Sequence, residues 1–243
     1  MSQLTEENIA EFHRLGYTIL RNALTPEELH ALHEEADMLM NYLMSEDIDI
    51  VRDLGCIIEP LTCGYLDPPR SRDYTYKTDA YMERRNSILD QSMASQVTLC
   101  SIARSASKLL GSSCVYLLNE QYIVKPPATA SKSQFAWHRD SDYYADAALQ
   151  DEPTVACWTT LDPVDADNGS IALSAFGSTG PSITQVVEAP AGSIVFMSNK
   201  LFHKSTGNAT SKFRRVFMPQ YSARPLLETN TSRCVALAVP CEI

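Results

Sequence analysis

In the stretch AWHRDSDYY, Ala136 to Tyr144, a histidine and an aspartate stand two residues apart, and two unrelated chemistries use such a pair. His-Arg-Asp is the core of the protein-kinase catalytic loop. A kinase also needs a glycine-rich phosphate loop, a strand lysine upstream, an asparagine five residues after the aspartate and a later Asp-Phe-Gly. None of these occurs, and position 145 is alanine. His-x-Asp is equally two thirds of a mononuclear metal site. Strand side chains alternate between faces, so His138 and Asp140 are expected to project together and Arg139 the other way. A third ligand must come from another strand, and besides His138 the β-rich portion holds only His203, in LFHKSTGN. His13, His30 and His33 fall in helical stretches and read as solvated helix faces. Two histidines and one carboxylate leave three positions open, as in non-haem Fe(II) oxygenases that hold a bidentate cosubstrate and dioxygen. Zinc hydrolases use the same ligand types, which therefore leave the metal undecided.

A 2-oxoglutarate enzyme also needs a cation for the far carboxylate of the keto acid, and a guanidinium grips a carboxylate through two parallel hydrogen bonds. FRRVFMPQYS, soon after His203, offers Arg214 and Arg215. Alternation puts one of them inside and leaves the other as a solvated surface charge. The pattern alone does not say which.

These residues must be positioned by a β-rich scaffold. Thr25-Pro26-Glu27-Glu28 carries the N-cap, N1 proline and N3 glutamate of a capping box, and leucines at helical spacing predict a helix over 26–43. A shorter helix is expected over 5–15, ending at Gly16, then a strand in YTILRN and a third helix over 95–110 closing at Gly111. From Cys114 the texture changes to short strand-like runs such as VYLLNEQYIV, VACWTTL, SIALSAF, TQVVEA, GSIVFMS and RRVFMPQYS. About eight such runs predict an all-β core with helices (α+β), a double-stranded β-helix or jelly roll of cupin-like type with N-terminal helices packed on one sheet. We expect one domain over 1–243, with 1–113 as mainly helical support and lid and 114–243 as the catalytic core. DPPRSRDYTYKTDAYMERR reads as a surface loop or a substrate lid. The acidic run DSDYYADAALQDE reads as a solvated loop.

A net charge of −10 argues against nucleic acid as a partner, and no apolar run reaches the length of a membrane span. Seven cysteines without paired spacing fit a reducing compartment, and the polar acidic start shows no secretory signal, so a cytoplasmic location is expected.

From ENIAEFHRLGYTILRNALTPEELHAL through VKPP, WHRDSDYY, ACWTTLDPVDADNGSIAL and APAGSIVFMSNKLFHKSTGN to FRRVFMPQYS, the chain resembles the phytanoyl-CoA dioxygenase family of Fe(II)/2-oxoglutarate oxygenases. The resemblance implies Fe(II) held by His138, Asp140 and His203, with 2-oxoglutarate as cosubstrate, O2 as oxidant and Arg214 on the distal carboxylate. It further implies cosubstrate roles for Ser205, Trp158 and Gln121. Two positions depart from the family pattern: Arg139 stands where glutamine is frequent, and AFGST, Ala175 to Thr179, replaces Pro-Gly-Ser-His beside the substrate. The second departure, together with the lack of a basic cluster for CoA phosphates, points to a free small-molecule substrate, with an intermediate of specialised metabolism as the example by analogy. Related halogenases have a small residue in place of the metal carboxylate; Asp140 argues against halogenation. Trp137, Tyr143 and Tyr144, with Tyr74, Tyr76 and Tyr81, are the aromatic candidates for a substrate pocket. A zinc hydrolase and a non-catalytic jelly-roll binding protein are the alternative readings.

Overall fold

The structure is a computed structural model and describes residues 1–59, 93–178, 180–232, 234–241 and 243. The central loop read as a surface loop or a lid, with Tyr74, Tyr76 and Tyr81, lies outside the described residues.

The helices begin and end where local chemistry dictates. Thr5 caps α1 (Glu6–Leu15) by accepting from the Asn8 amide, and Gly16 closes it at φ 82°, a left-handed conformation that costs glycine little. Thr25 and Glu28 form the expected reciprocal box at the start of α2 (Pro26–Ser45). The third helix, α3, runs through Met93–Gln96, a widened π stretch Val97–Ile102, and Ala103–Leu110. Within the π stretch the Thr98 carbonyl accepts a 2.6 Å hydrogen bond from the buried Tyr221 hydroxyl. Such distortions arise where a side chain competes for helix backbone groups.

Two antiparallel sheets face each other, as a jelly roll requires. The larger follows the order β1-β8-β5-β10-β3-β11, with β2 also on β3; the smaller follows β4-β9-β6-β7. The large sheet comprises β1 (Tyr17–Leu20), β2 (Ile57–Ile58), β3 (Tyr116–Lys125), β5 (Thr154–Thr160), β8 (Ile194–Ser198), β10 (Arg214–Ser222) and β11 (Val239–Pro240). The small one comprises β4 (Phe135–His138), β6 (Ile171–Ser174), β7 (Gln185–Val186) and β9 (Phe202–Ser205).

The central strands are apolar on both faces because both are covered. Val155, Cys157, Phe196, Phe217 and Tyr221 pack outward with Leu32, Ala36, Leu39 and Ile102 of the helices. Ala156, Trp158, Val195, Val216 and Met218 point inward against Ile171 and Leu173 of the small sheet. β10 therefore carries two rows, and its inward row contains Arg214. Arg215 belongs to the outward row, but it is not a solvated surface charge: it forks onto Asp162 and reaches Asp37 of α2. His33 likewise is no solvated face, since its Nε2 lies 2.6 Å from the Leu161 carbonyl and ties α2 to the end of β5.

Two loops hold the small sheet in register. The Thr129 amide donates to the Asn208 carbonyl, the Ala128 amide to the Thr210 carbonyl, and Asn208 Nδ2 to the Lys125 carbonyl at 2.9 Å. Gly207 sits at the closest approach, where an added Cβ would stand 2.1 Å from the Ala130 carbonyl oxygen. Gly207→Ala is expected to destabilise the fold by about 1–3 kcal/mol, read by urea denaturation, because backbone rather than a pliable side chain must move. Unchanged stability would mean that the two loops separate freely.

Candidate metal centre

His138 and His203 are directly opposed across the β4–β9 pair. Opposed residues share a face and stand about 5 Å apart, so the rings converge, with 4.2 Å between centroids. Asp140 is not on the strand, contrary to the simple alternation argument; it opens a 3-10 turn, Asp140–Tyr143. Arg139 remains extended at φ −116° and ψ 146°, and this preserves the reversal that turns Asp140 to the same side as His138. Its guanidinium is forked onto Asp142 at 2.9 and 2.7 Å and lies over the Phe202 ring, which braces the turn.

One donor atom from each of His138, Asp140 and His203 lies within 4.8 Å of the others. Both Nδ1 atoms are within hydrogen-bonding distance of backbone carbonyls, His138 to Ala136 at 2.8 Å and His203 to Leu201 at 3.1 Å. A carbonyl can only accept, so each Nδ1 carries the proton and each Nε2 keeps its lone pair. Burial lowers the His203 pKa, outweighing the nearby Asp140 that raises it, and so favours the neutral ring that a metal requires. Asp140 Oδ1 lies 3.6 Å from His203 Nε2, while Oδ2 accepts from Gln220 Nε2 at 3.1 Å. The donor set fits a divalent transition metal with one carboxylate oxygen and two imidazoles.

Beside this cluster the protein buries two basic side chains. Arg214 and Lys125 are cross-strand partners on β10 and β3, exposed by 1 % and 0 %. Among the described residues neither forms an ion pair with a carboxylate. The Arg214 guanidinium donates to the carbonyls of Ile123 (3.3 Å) and Gly169 (2.9 Å), sits over the Trp158 ring, and leaves Nε without a partner. Lys125 Nζ donates to Ser205 Oγ at 2.6 Å and to the Thr206 carbonyl. Burial pushes Arg214 down to about 10; burial, then the charge of Arg214, pushes Lys125 down to about 6. Gly169, at φ 88°, makes room: a Cβ there would meet the Lys125 side chain and the Thr206 carbonyl at 2.8 Å. Buried cations without anionic partners are costly, and an orphaned guanidinium nitrogen beside them fits a carboxylate supplied by a ligand.

A phytanoyl-CoA dioxygenase (PhyH) family profile matches residues 12–175. The chain belongs to that family. Membership makes it an oxygenase dependent on Fe(II), 2-oxoglutarate and O2. No curated protein matches it in sequence. Among solved structures it is similar to the non-haem α-ketoglutarate-dependent epimerase SnoN from nogalamycin biosynthesis, with 17 % identity, TM-score 0.63, and 90 % of this chain and 83 % of that one covered. The carbocyclase SnoK of the same biosynthesis is 15 % identical, with TM-score 0.59 over 91 % of this chain and 85 % of that one. EctD from S. alaskensis, solved with 2-oxoglutarate and 5-hydroxyectoine, is 20 % identical, with TM-score 0.62 over 97 % and 83 %. These likenesses are of fold.

In this phytanoyl-CoA dioxygenase family member, the triad, Arg214, Trp158 and Ser205 open onto a cavity of about 580 Å³. Gln121 also lines it, hydrogen-bonded to Glu59 at 3.4 Å, four residues along β3 from Lys125. Tyr144 is in the wall, and Tyr143, 74 % exposed, stands at the rim with its ring edge-on to His138. Trp137 does not line the cavity; it points away from His138 and lies under Lys204. Tyr76 lies outside the described residues. The acidic run expected as a solvated loop instead builds a wall: besides Asp140 it supplies Tyr143, Tyr144, Ala145, Asp146 and Leu149.

Sequence reasoning missed Lys125 and Gln220. A signal existed for both, because strand parity places Lys125 on the face of Gln121 and Ile123, and Gln220 on the face of Arg214. Lys125→Met tests the burial of this charge. With the folded-state value near 6 and the ordinary value 10.5, the unfolded chain holds one more proton between them, so wild-type stability rises with pH across that interval. Ligand-free Lys125→Met should therefore melt higher than wild type at pH 7, by a margin that shrinks towards pH 10. A variant that melts lower at pH 7 would show that the Lys125 hydrogen bonds outweigh the cost of burying its amine.

Proposed function

We propose that His138, Asp140 and His203 hold Fe(II), and that Arg214 with Lys125 receives the distal carboxylate of 2-oxoglutarate. On this reading the protein oxidises an unactivated C–H bond of a small organic molecule, by hydroxylation, ring closure or desaturation, with release of succinate and CO2. The observation that carries the reading is that a three-donor cluster and the buried Arg214, which has no carboxylate partner among the described residues, line one cavity, with Lys125 beside Arg214. A zinc hydrolase would use the three donors to activate water but would have no use for the buried cations. A non-catalytic binding protein would need neither.

Bound iron supplies the oxidising power, drawn from dioxygen and the keto acid together. The chain's own residues do the positioning. The backbone carbonyls of Ala136 and Leu201 fix the imidazole tautomers. Arg214 sets the keto acid's orientation by gripping its tail, and Trp158, Phe135 and Ile171 surround that region with apolar surface that excludes water. Ser205 bridges Lys125 to the cavity. The substrate would lie beyond the metal, against Asn119, Gln121 and Tyr144. Among the described lining residues the cations are Arg214, committed to the keto acid, and Lys204, whereas Glu59, Asp146 and Glu228 supply negative charge. This lining and a volume in the small-ligand range favour a free polar molecule over a phosphate-bearing acyl-CoA. SnoN and SnoK, of the same fold, come from nogalamycin biosynthesis, which makes specialised metabolism a fitting setting.

Anaerobic addition of Fe(II) and 2-oxoglutarate should produce a visible metal-to-ligand charge-transfer band that is absent in His203→Ala. Metal binding without a band, together with hydrolytic activity, would favour the zinc reading. Arg214→Leu should weaken keto-acid binding by about 10²-fold or more while leaving metal affinity intact, since a charge-assisted bidentate contact is lost. Keto-acid affinity should also fall as pH rises above about 6, where Lys125 loses its proton in the free protein. Calorimetric titration of Lys125→Met should show that pH dependence abolished; a dependence retained would place the proton elsewhere.

A further inference from the structure

We propose that Gln220 is a positioning residue of the metal centre: its amide selects which oxygen of Asp140 is offered to the ion and keeps the carboxylate from chelating through both. The inference rests on the iron reading above and adds to it a residue outside the three donors.

The two oxygens of Asp140 are not equivalent in this structure. Oδ1 faces His203 Nε2 at 3.6 Å, inside the donor cluster, whereas Oδ2 accepts from Gln220 Nε2 at 3.1 Å. Arg139 is unavailable for this task, since its guanidinium is committed to Asp142. The 3-10 turn fixes the Asp140 backbone, with the Ser141 amide donating to the Asn199 carbonyl at 3.0 Å, but leaves carboxylate rotation to be set by a partner.

Gln220 reaches it from the opposite sheet because strand parity puts it on the inward row of β10, with Arg214. The β10–β3 register shifts between Gln220 and Tyr221, so Gln220 pairs with Asn119 and Tyr221 with Leu117. The extra residue is Leu118 of β3, so β10 keeps its alternation and Gln220 stays on the inward face.

The chemical consequence follows from counting positions. A carboxylate free to rotate can bind through both oxygens, filling a place needed by the keto acid or dioxygen. A neutral amide ties one oxygen while leaving the charge of Asp140 intact, which a lysine in its place would offset. Residues that orient a metal ligand in this way typically change metal affinity by 10–100-fold when removed.

The test uses Gln220→Met, close in volume, and Gln220→Ala, each titrated anaerobically with Fe(II) and then 2-oxoglutarate, beside thermal melts of the metal-free proteins. Both variants are expected to melt within a few degrees of wild type, to bind Fe(II) about 10–100-fold more weakly, and to give a shifted or diminished charge-transfer band. Two folded variants with wild-type iron affinity and an unshifted band would overturn the role of Gln220 while leaving the iron centre standing. A wild-type protein that binds no iron would sink the centre itself, and this inference with it.

Discussion

The pairing of β4 with β9 is the constraint from which the site follows. Antiparallel partners that stand opposite each other must present their side chains on one face, and here the opposed pair is His138 and His203. Two imidazoles held this close repel if both are protonated and gain little if both are neutral, unless an ion lies between them. The carbonyls of Ala136 and Leu201, each two residues before its histidine, decide that both rings point their free lone pairs into the cavity. Asp140 joins them because one extended residue and a 3-10 turn carry it back to the same side. Just beyond β9, Gly207 packs closely on Ala130 of the loop that leads into β4.

A second constraint is electrostatic. Folding hides Lys125 and Arg214 next to each other, a combination that ordinarily opposes folding. The surrounding carbonyls of Ile123, Gly169 and Thr206 offset part of that cost with partial charges. Among the described residues they leave one guanidinium nitrogen, Nε of Arg214, without a bond. The outward row of the same strand follows the opposite rule, with Arg215 matched by Asp162 and Asp37. One β-strand therefore separates an arginine matched by carboxylates from one that faces the cavity, by the alternation of its side chains.

Much of this was legible in the sequence, for identifiable reasons. The capping residues of α1 and α2 act within one turn, so local pattern was enough to place them. The strands of the large sheet announced themselves as apolar runs because helices cover one face and the small sheet the other. The three candidate donors that the fold brings together stood out because histidine is scarce in the β portion. The choice between Arg214 and Arg215 was not readable from pattern, as it depends on which face of β10 looks inward, and that is set by pairing with β3 and β5. Lys125 and Gln220 were overlooked for a related reason: their partners lie 80 residues away along the chain. The wall formed by Tyr143 to Leu149 was hidden by its acidic composition, which resembles solvated loops, although Asp146 caps a short helix, α4 (Ala147–Asp151), and binds Thr229.

The central claim is that three side chains bind a metal and half of its coordination sphere stays open for the keto acid and dioxygen. X-ray absorption at the iron edge, on anaerobic protein loaded with Fe(II) and 2-oxoglutarate, reads that sphere most directly. The account predicts two imidazole nitrogens, one aspartate oxygen and two oxygens from the keto acid. A sphere without imidazole, or one unchanged when the keto acid is added, would contradict it.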